Sequence, residues 1–216
     1  MRVTVIAAST VCGRIGPALC GSHLDRLRLE KARDCTDASL MGAETLRQHD
    51  PEMRGTGGRL PEGRIRAILT ASGDIPVSGR KLFAEGPPPL IFTSQAAADP
   101  LRLRLDGQAT VVAVPQTEEG LSIRACLAHL SGLGVTSLLV EGGGRLNHAC
   151  FREGVVDELL LTLTPKLSGD RRAASLCAGV APLGNPFLEL RLLGCEIAET
   201  GELFLTYGIH KEGEDA

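Results

Sequence analysis

Apolar and polar positions change over in short blocks along this chain. Val3 to Ala8 is a nearly unbroken apolar run, the pattern of a strand buried on both faces. Ser22-His23-Leu24-Asp25 has the form of a capping box and opens a helix through Leu29 to Ala32. Ala38 to Met41 reads as a second strand. Gly42 and a helix around Glu44 to Gln48 follow, and Asp50-Pro51 ends that helix. Arg54 to Gly63, rich in Gly, Arg and Pro, is a loop. Strands follow at Ile65 to Thr70, Leu90 to Thr93 and Thr110 to Val114. Ser122 to Leu133 carries Ile123, Cys126, Leu127 and Leu130 at helical spacing and stops at Gly134. Ser137 to Val140 is a further strand. It runs directly into Glu141-Gly142-Gly143-Gly144, with a helix over Arg145 to Arg152 behind.

The last part of the chain changes character. Glu158 to Thr164, Glu189 to Glu199 and Leu203 to Tyr207 are strands with no helix between them, which predicts an antiparallel addition to a parallel sheet. The expected class is α/β, with a mostly parallel central sheet flanked by helices and antiparallel C-terminal strands. Residues 169 to 184 are the one candidate boundary. Their composition is mixed and partly apolar, unlike a flexible linker, so a single domain over 1–216 is expected.

Composition narrows the function. The 216 residues can bury a sizeable core. A formal net charge of −3 draws the chain neither to nucleic acid nor to an anionic membrane. Aromatic content of 3% argues against a surface for stacking bases. No leader and no apolar run of about eighteen residues is apparent, so a cytoplasmic location is expected. Seven scattered cysteines without a CxxC pair argue against a disulfide framework or structural zinc. All but Cys12 read as small core hydrophobes. His23, His49, His129, His148 and His210 are dispersed, so no metal site is expected. His210-Lys211-Glu212 spells H-x-E, but the downstream P-C-x-x-C of a zinc deaminase is absent.

Glu141 to Gly144 is the strongest chemical signal. Glycines let backbone approach a ligand closely, and the following helix start offers free N–H groups and a positive dipole end to a phosphate. The spacing is neither GxGxxG nor a P-loop. A tight strand-to-helix turn without a ligand has the same sequence. Arg54, Arg59, Arg64 and Arg66 cluster in and beside a loop; they could grip a phosphate, or stand exposed and idle.

Three blocks resemble the pyrimidine reductases of riboflavin biosynthesis. The first is Val140-Glu141-Gly142-Gly143-Gly144, then Leu146-Asn147, Gly154-Val155-Val156-Asp157-Glu158-Leu159 and Thr164-Pro165-Lys166-Leu167. The second is Asp37-Ala38-Ser39-Leu40-Met41-Gly42 with Thr45 and Asp50-Pro51. The third is Thr10-Val11-Cys12-Gly13-Arg14-Ile15. The resemblance implies a dihydrofolate-reductase-like fold, a homodimer and NADPH as cofactor. It implies reduction of a ribosylamino-pyrimidine 5′-phosphate to its ribityl form. By the same resemblance Gly142, Gly143, Gly144, Arg145 and Leu146 lie at the cofactor pyrophosphate, and Gly42, Thr45, His49 and Asp50 also belong to the cofactor site. Glu141, and with it Arg54 and Cys12, fall to the substrate.

The chain departs from the family pattern at Cys12 and His49, which stand where the family has aspartates, and at Thr70. Cys12 reads either as a reactive thiol or as a small buried replacement. Asp50 reads either as a ligand contact or as a turn residue before Pro51. Two other functions stay open on sequence: a pterin or folate reductase of the same fold, and a catalytically weakened dimeric nucleotide-binding protein.

Overall fold

The computed structural model describes residues 1–16, 21–118, 120–185 and 187–210. The elements in order are β1 (Arg2–Thr10), α1 (His23–Asp34), β2 (Ala38–Gly42), α2 (Ala43–Gln48), β3 (Ile65–Thr70), α3 (Lys81–Ala84), β4 (Leu90–Thr93) and α4 (Gln95–Leu105). They continue with β5 (Thr110–Ala113), β6 (Gln116–Thr117), β7 (Gly120–Leu121), α5 (Ile123–Gly132), β8 (Ser137–Val140), α6 (Gly144–Arg152), β9 (Glu158–Thr164), β10 (Leu190–Ile197) and β11 (Leu203–Ile209).

Nine strands form one sheet in the order β10-β11-β9-β1-β8-β2-β3-β4-β5. Every pair from β9 to β5 is parallel, and only β11 and β10 run against their neighbours. The expected class is therefore observed with one correction. β9 belongs to the parallel part, because α6 carries the chain back before it and lets it ladder with β1 in the same direction.

Alternation along the strands sorts the core onto two faces. Val3, Val5, Leu138, Val140, Leu40 and Phe92 pack against Ile123, Cys126 and Leu130 of α5 and Leu146, Ala149 and Cys150 of α6. Met41, Ile68 and Ile91 pack on the other face against Leu46 of α2, Leu82 of α3 and Ala98, Leu101 and Leu105 of α4. Each of these buried large side chains contributes roughly 1.5–3 kcal/mol. α1 also covers the second face. Arg28 Nη1 donates to Thr162 Oγ1 at 3.2 Å, and Thr162 alternates with the inward Leu161.

Ser22 caps α1 as its sequence promised, accepting from the N–H groups of Leu24 and Asp25. The box is not reciprocal: the Ser22 N–H goes to Glu202 Oε1 at 2.8 Å rather than to Asp25. The pattern did not foretell α3, α4 or the small β6–β7 pair. α4 hides behind Pro100, which lies inside the helix. A proline there removes one ladder bond, and burial of Ala98, Leu101 and Leu105 outweighs that loss.

The cysteines correct the expectation of uniform core packing. Cys126 and Cys150 are buried and Cys177 is half-buried, but Cys12, Cys35 and Cys195 are exposed. Cys20, Lys211 and Glu212 lie outside the described residues. Among the described residues no helix is long and apolar enough to cross a membrane.

Candidate active site

The site begins with a mismatch of strand lengths. β8 pairs with β1 only up to Val140 opposite Val5. β9 pairs with β1 all the way to Thr10 opposite Thr164. From Ile6 to Thr10 the central strand is therefore laddered on one side only. Ala7 and Ala8, in the middle of the sheet, stay half-exposed. This opens a crevice at the carboxyl end of the parallel strands, where the order departs from the chain sequence; α/β ligands bind in such crevices.

Glu141 to Gly144 forms one wall, and its three glycines meet three different surroundings. A Cβ on Gly142 would stand 2.6 Å from Asn147 Oδ1. A Cβ on Gly144 would stand 2.2 Å from the Ser175 carbonyl oxygen. Gly143 has nothing within 4 Å of that position. Gly144 thus makes room for the chain itself. Residues 174 to 178 cross the start of α6, held by Ala178 N–H on Gly144 O (3.0 Å), Asn147 Nδ2 on Leu176 O (2.9 Å) and Leu176 N–H on Gly13 O (3.0 Å). Gly143 faces open space and is the N-cap of α6 without any side-chain cap. Asn147, fully buried, leaves Oδ1 without a partner beside the turn. An uncapped helix start and an open glycine make a donor-rich cradle that fits a pyrophosphate; Asn147 Oδ1, an acceptor, is no part of that anion site. Leu146 enters it only through its backbone, since its side chain is buried in the core.

Glu141 is engaged from several sides. Its side chain is 6% exposed and is gripped by Arg33, with Nε to Oε1 at 3.0 Å and Nη2 to Oε2 at 2.5 Å. Ser39 Oγ donates to Oε1 at 2.6 Å. Burial pushes this carboxyl up, but Arg33, Ser39 and nearby Arg64 outweigh that and hold it below the ordinary carboxylate value. Arg64 is itself buried, donating to the carbonyls of Arg33 and Thr36 and to Ser39 Oγ. So Glu141 pins α1, β2 and β8 together, and a substrate bond would compete with two existing partners.

The other candidates separate. Gly42 starts α2 without a side-chain cap, and a Cβ there would meet nothing. Thr45 is half-buried on α2. Arg145 is exposed on the first turn of α6. His49 is exposed and ends α2. Asp50 Oδ1 accepts from the Lys81 N–H at 3.0 Å, a long-range bond to the start of α3. Arg54 is engaged by Glu52, Glu85 and Gly58 O. Its side chain is turned toward Glu85, whose carbonyl accepts from Arg66, while the Arg54 carbonyl accepts from Arg33 Nη1 at 2.8 Å, the arginine that grips Glu141. The idle-loop reading of Arg64 and Arg66 is corrected, since both are buried.

Cys12 is exposed rather than a buried replacement. Thr10 Oγ1 lies 3.2 Å from Sγ, and the Ser168 N–H donates to it at 3.4 Å. These hydrogen bonds, with one from Gly169, hold its pKa down to about 7.

Sequence reasoning missed the far end of the crevice. A groove of about 500 Å³ lies over the ends of β3 and β4, lined among others by Ser72, Asp74, Ser94 and Arg104. Ser94 before Gln95-Ala96-Ala97-Ala98 is an N-cap signal that marks this helix start.

Residues 6–203 match the RibD C-terminal domain model. The 2,5-diamino-6-ribosylamino-4(3H)-pyrimidinone 5′-phosphate reductase of Methanothermobacter thermautotrophicus is 29% identical over 187 residues, 83% of this chain and 85% of that protein. The reductase of the same name from Archaeoglobus fulgidus is 29% identical over 165 residues, 72% of each. Among solved structures, Acinetobacter baumannii RibD has a TM-score of 0.79 at 20% identity, covering 97% of this chain and 58% of that one. A pyrimidine reductase-like protein from Corynebacterium diphtheriae has a TM-score of 0.76 at 19% identity, covering 98% and 92%. This chain thus spans little more than half of the A. baumannii protein, and these likenesses carry the fold.

Proposed function

The chain belongs to the RibD C-terminal domain family, and from that premise we propose that it reduces a ribosylamino-pyrimidine 5′-phosphate to its ribitylamino form with NADPH in riboflavin biosynthesis. The observation that carries this is the crevice, where an uncapped glycine turn stands beside the half-laddered end of the central strand.

NADPH supplies the hydride. The chain supplies place and charge. Gly142 and Gly143 and the start of α6 offer N–H groups to the pyrophosphate, with Arg145 flanking. The bare edge of β1 from Ile6 to Ser9 offers backbone donors and acceptors where the reacting rings meet. The groove over β3 and β4 takes the adenosine end. From β8 to β4 is three strand spacings, about 14 Å. The ring-opened ribosylamine carries a carbon–nitrogen double bond. Hydride adds to the carbon and a proton to the nitrogen. Cys12 Sγ, at the mouth and with a pKa of about 7, can exchange a proton at neutral pH.

A homodimer fits the free edge. Every residue of β10 is exposed, including Leu192, Leu193 and Ile197, and such an edge seeks a partner. Free cysteines throughout the described residues suit the reducing cytoplasm. The test is loss of the reduced-nicotinamide absorbance with the diamino substrate named for the relatives and with its deaminated counterpart. Oxidation with one of them supports the reading. No oxidation with either, while NADPH binds, removes it.

A further inference from the structure

Resting on the reductase reading of the crevice, we infer that Glu202, in the turn between β10 and β11, is a positioning residue for the reaction: its carboxylate sets the first turn of α1 beside the crevice floor. None of the sequence blocks that resemble the family includes it. Glu202 is 4% exposed. Its Oε1 accepts the Ser22 N–H at 2.8 Å, and its Oε2 accepts the hydroxyls of Ser22 and, at 3.0 Å, of Thr200. Burial pushes this carboxyl up, but Ser22, Thr200 and the Lys166 charge outweigh that and hold it below the ordinary carboxylate value.

Ser22 passes the bond on. A serine hydroxyl has one proton and two lone pairs. The Ser22 oxygen already accepts from the N–H groups of Leu24 at 3.1 Å and Asp25 at 3.2 Å. Its proton therefore needs an acceptor that brings no hydrogen of its own, and a carboxylate is one. A glutamine does not serve: its amide N–H groups would face either the Ser22 N–H or the filled Ser22 oxygen. A hairpin turn thus completes the cap of a helix that starts 180 residues earlier.

That helix start borders the crevice. Because Glu202 takes the Ser22 N–H, the Asp25 carboxyl is released from a reciprocal cap and takes the Thr162 hydroxyl instead. Arg28 donates to the same Thr162 oxygen at 3.2 Å and to Leu205 O at 2.8 Å, which seats α1 on β9 and β11. Thr162 is in register with Ala8 on the half-exposed floor, one strand spacing away, about 4.8 Å. The other side of the mouth answers to the same carboxylate. Lys166, whose charge favours ionised Glu202, accepts the Val11 N–H on its carbonyl at 3.0 Å, two residues before the Ser168 N–H that holds Cys12 Sγ. One turn therefore reaches the chain both where it leaves β1 and where it enters α1.

The test is steady-state kinetics of the whole chain with Glu202→Gln and Ser22→Ala, singly and together, beside calorimetric titration with NADP⁺. Each single variant should raise KM for the pyrimidine about tenfold, the size of one hydrogen bond to a charged group. The expected kcat and NADP⁺ affinity are native, the mark of lost substrate positioning. The double variant should be no worse than either single one, since both act through one bond. A role confined to stability would lower the urea midpoint and leave KM native below the transition. Hydrogen exchange gives a readout that needs no turnover: both variants should speed exchange over residues 11–16 and 21–25 and leave residues 144–152 native. Native KM in folded Glu202→Gln, or native exchange over residues 11–16 and 21–25, overturns the inference. If Glu202→Gln does not fold, Ser22→Ala, which keeps the carboxylate, carries the same two tests. No reduction of either pyrimidine by the native protein, with the exchange response present, removes the substrate reading and keeps the coupling of the hairpin turn to the crevice mouth.

Discussion

Two adjacent glycines give the sharpest separation of packing from binding. Gly144→Ala would place a methyl 2.2 Å from the Ser175 carbonyl oxygen and 3.2 Å from Ala178 Cβ. The first is backbone, so residues 174 to 178 must move, and with them the bonds to Gly13 and Asn147. Overpacking of this kind costs about 1–3 kcal/mol. Gly143→Ala meets nothing within 4 Å, and its φ of −77° and ψ of 171° suit alanine. Losing glycine at an N-cap costs up to about 1 kcal/mol, and stiffening the unfolded chain returns about 0.4–1 kcal/mol. Stability should therefore stay within about 1 kcal/mol of the native protein. The methyl would instead occupy the space proposed for the pyrophosphate. Affinity for NADP⁺ should fall at least about tenfold, or ~1.4 kcal/mol. Urea unfolding midpoints and calorimetric titration read the two quantities separately. A Gly143→Ala protein that binds NADP⁺ like the native one would refute the cradle. A Gly144→Ala protein of native stability would refute the strap that crosses it.

Other outcomes follow from the same geometry. Arg33→Met takes from buried Glu141 its paired guanidinium, leaving only Ser39 and the nearby Arg64, and should cost about 3–5 kcal/mol in unfolding free energy, whereas Arg33→Met with Glu141→Leu should recover much of it. Alkylation of Cys12, followed by peptide mass spectrometry, should rise with pH through a midpoint near 7, and Thr10→Val should shift that midpoint upward. The folded thiol loses its proton more readily than the unfolded one, whose value is 9.0, so this group favours the folded state increasingly from pH 7 to 9, and Cys12→Ser removes that rise. Leu193→Lys with Ile197→Lys on β10 should halve the mass seen in sedimentation if the free edge joins two copies, and should leave it unchanged if it does not.

The parts of this molecule legible in sequence are those governed by local pattern. β3, β4, β8 and β9 begin and end where their apolar runs do, because a buried parallel strand must be apolar throughout. The glycine turn was legible for the same local reason. What stayed hidden depends on pairing across long separations. The crevice exists because β8 is shorter than β9 where both meet β1, and register between residues 5 and 140 or 10 and 164 leaves no local mark. Glu141 shows the same limit. A carboxylate before a glycine turn looks available, and only the arrival of Arg33 and Ser39 from distant segments shows that it is engaged. Arg54, Arg64 and Arg66 share one stretch of sequence, yet the fold buries two of them and pairs the third with Glu52 and Glu85. The resemblance supplied the fold and the reaction class. It gave no indication of the groove at Asp74 and Arg104, which rests on a helix masked by Pro100.

The central claim is transfer of hydride from the dinucleotide to the first ribose carbon of a ribosylamino-pyrimidine 5′-phosphate. The most direct measurement uses NADPH carrying deuterium at the transferring position of the nicotinamide, with mass spectrometry of the pyrimidine product. The account predicts a ribitylamino product with one deuterium on that carbon. A ribitylamino product without deuterium, or an unchanged substrate while dinucleotide is bound, would contradict it.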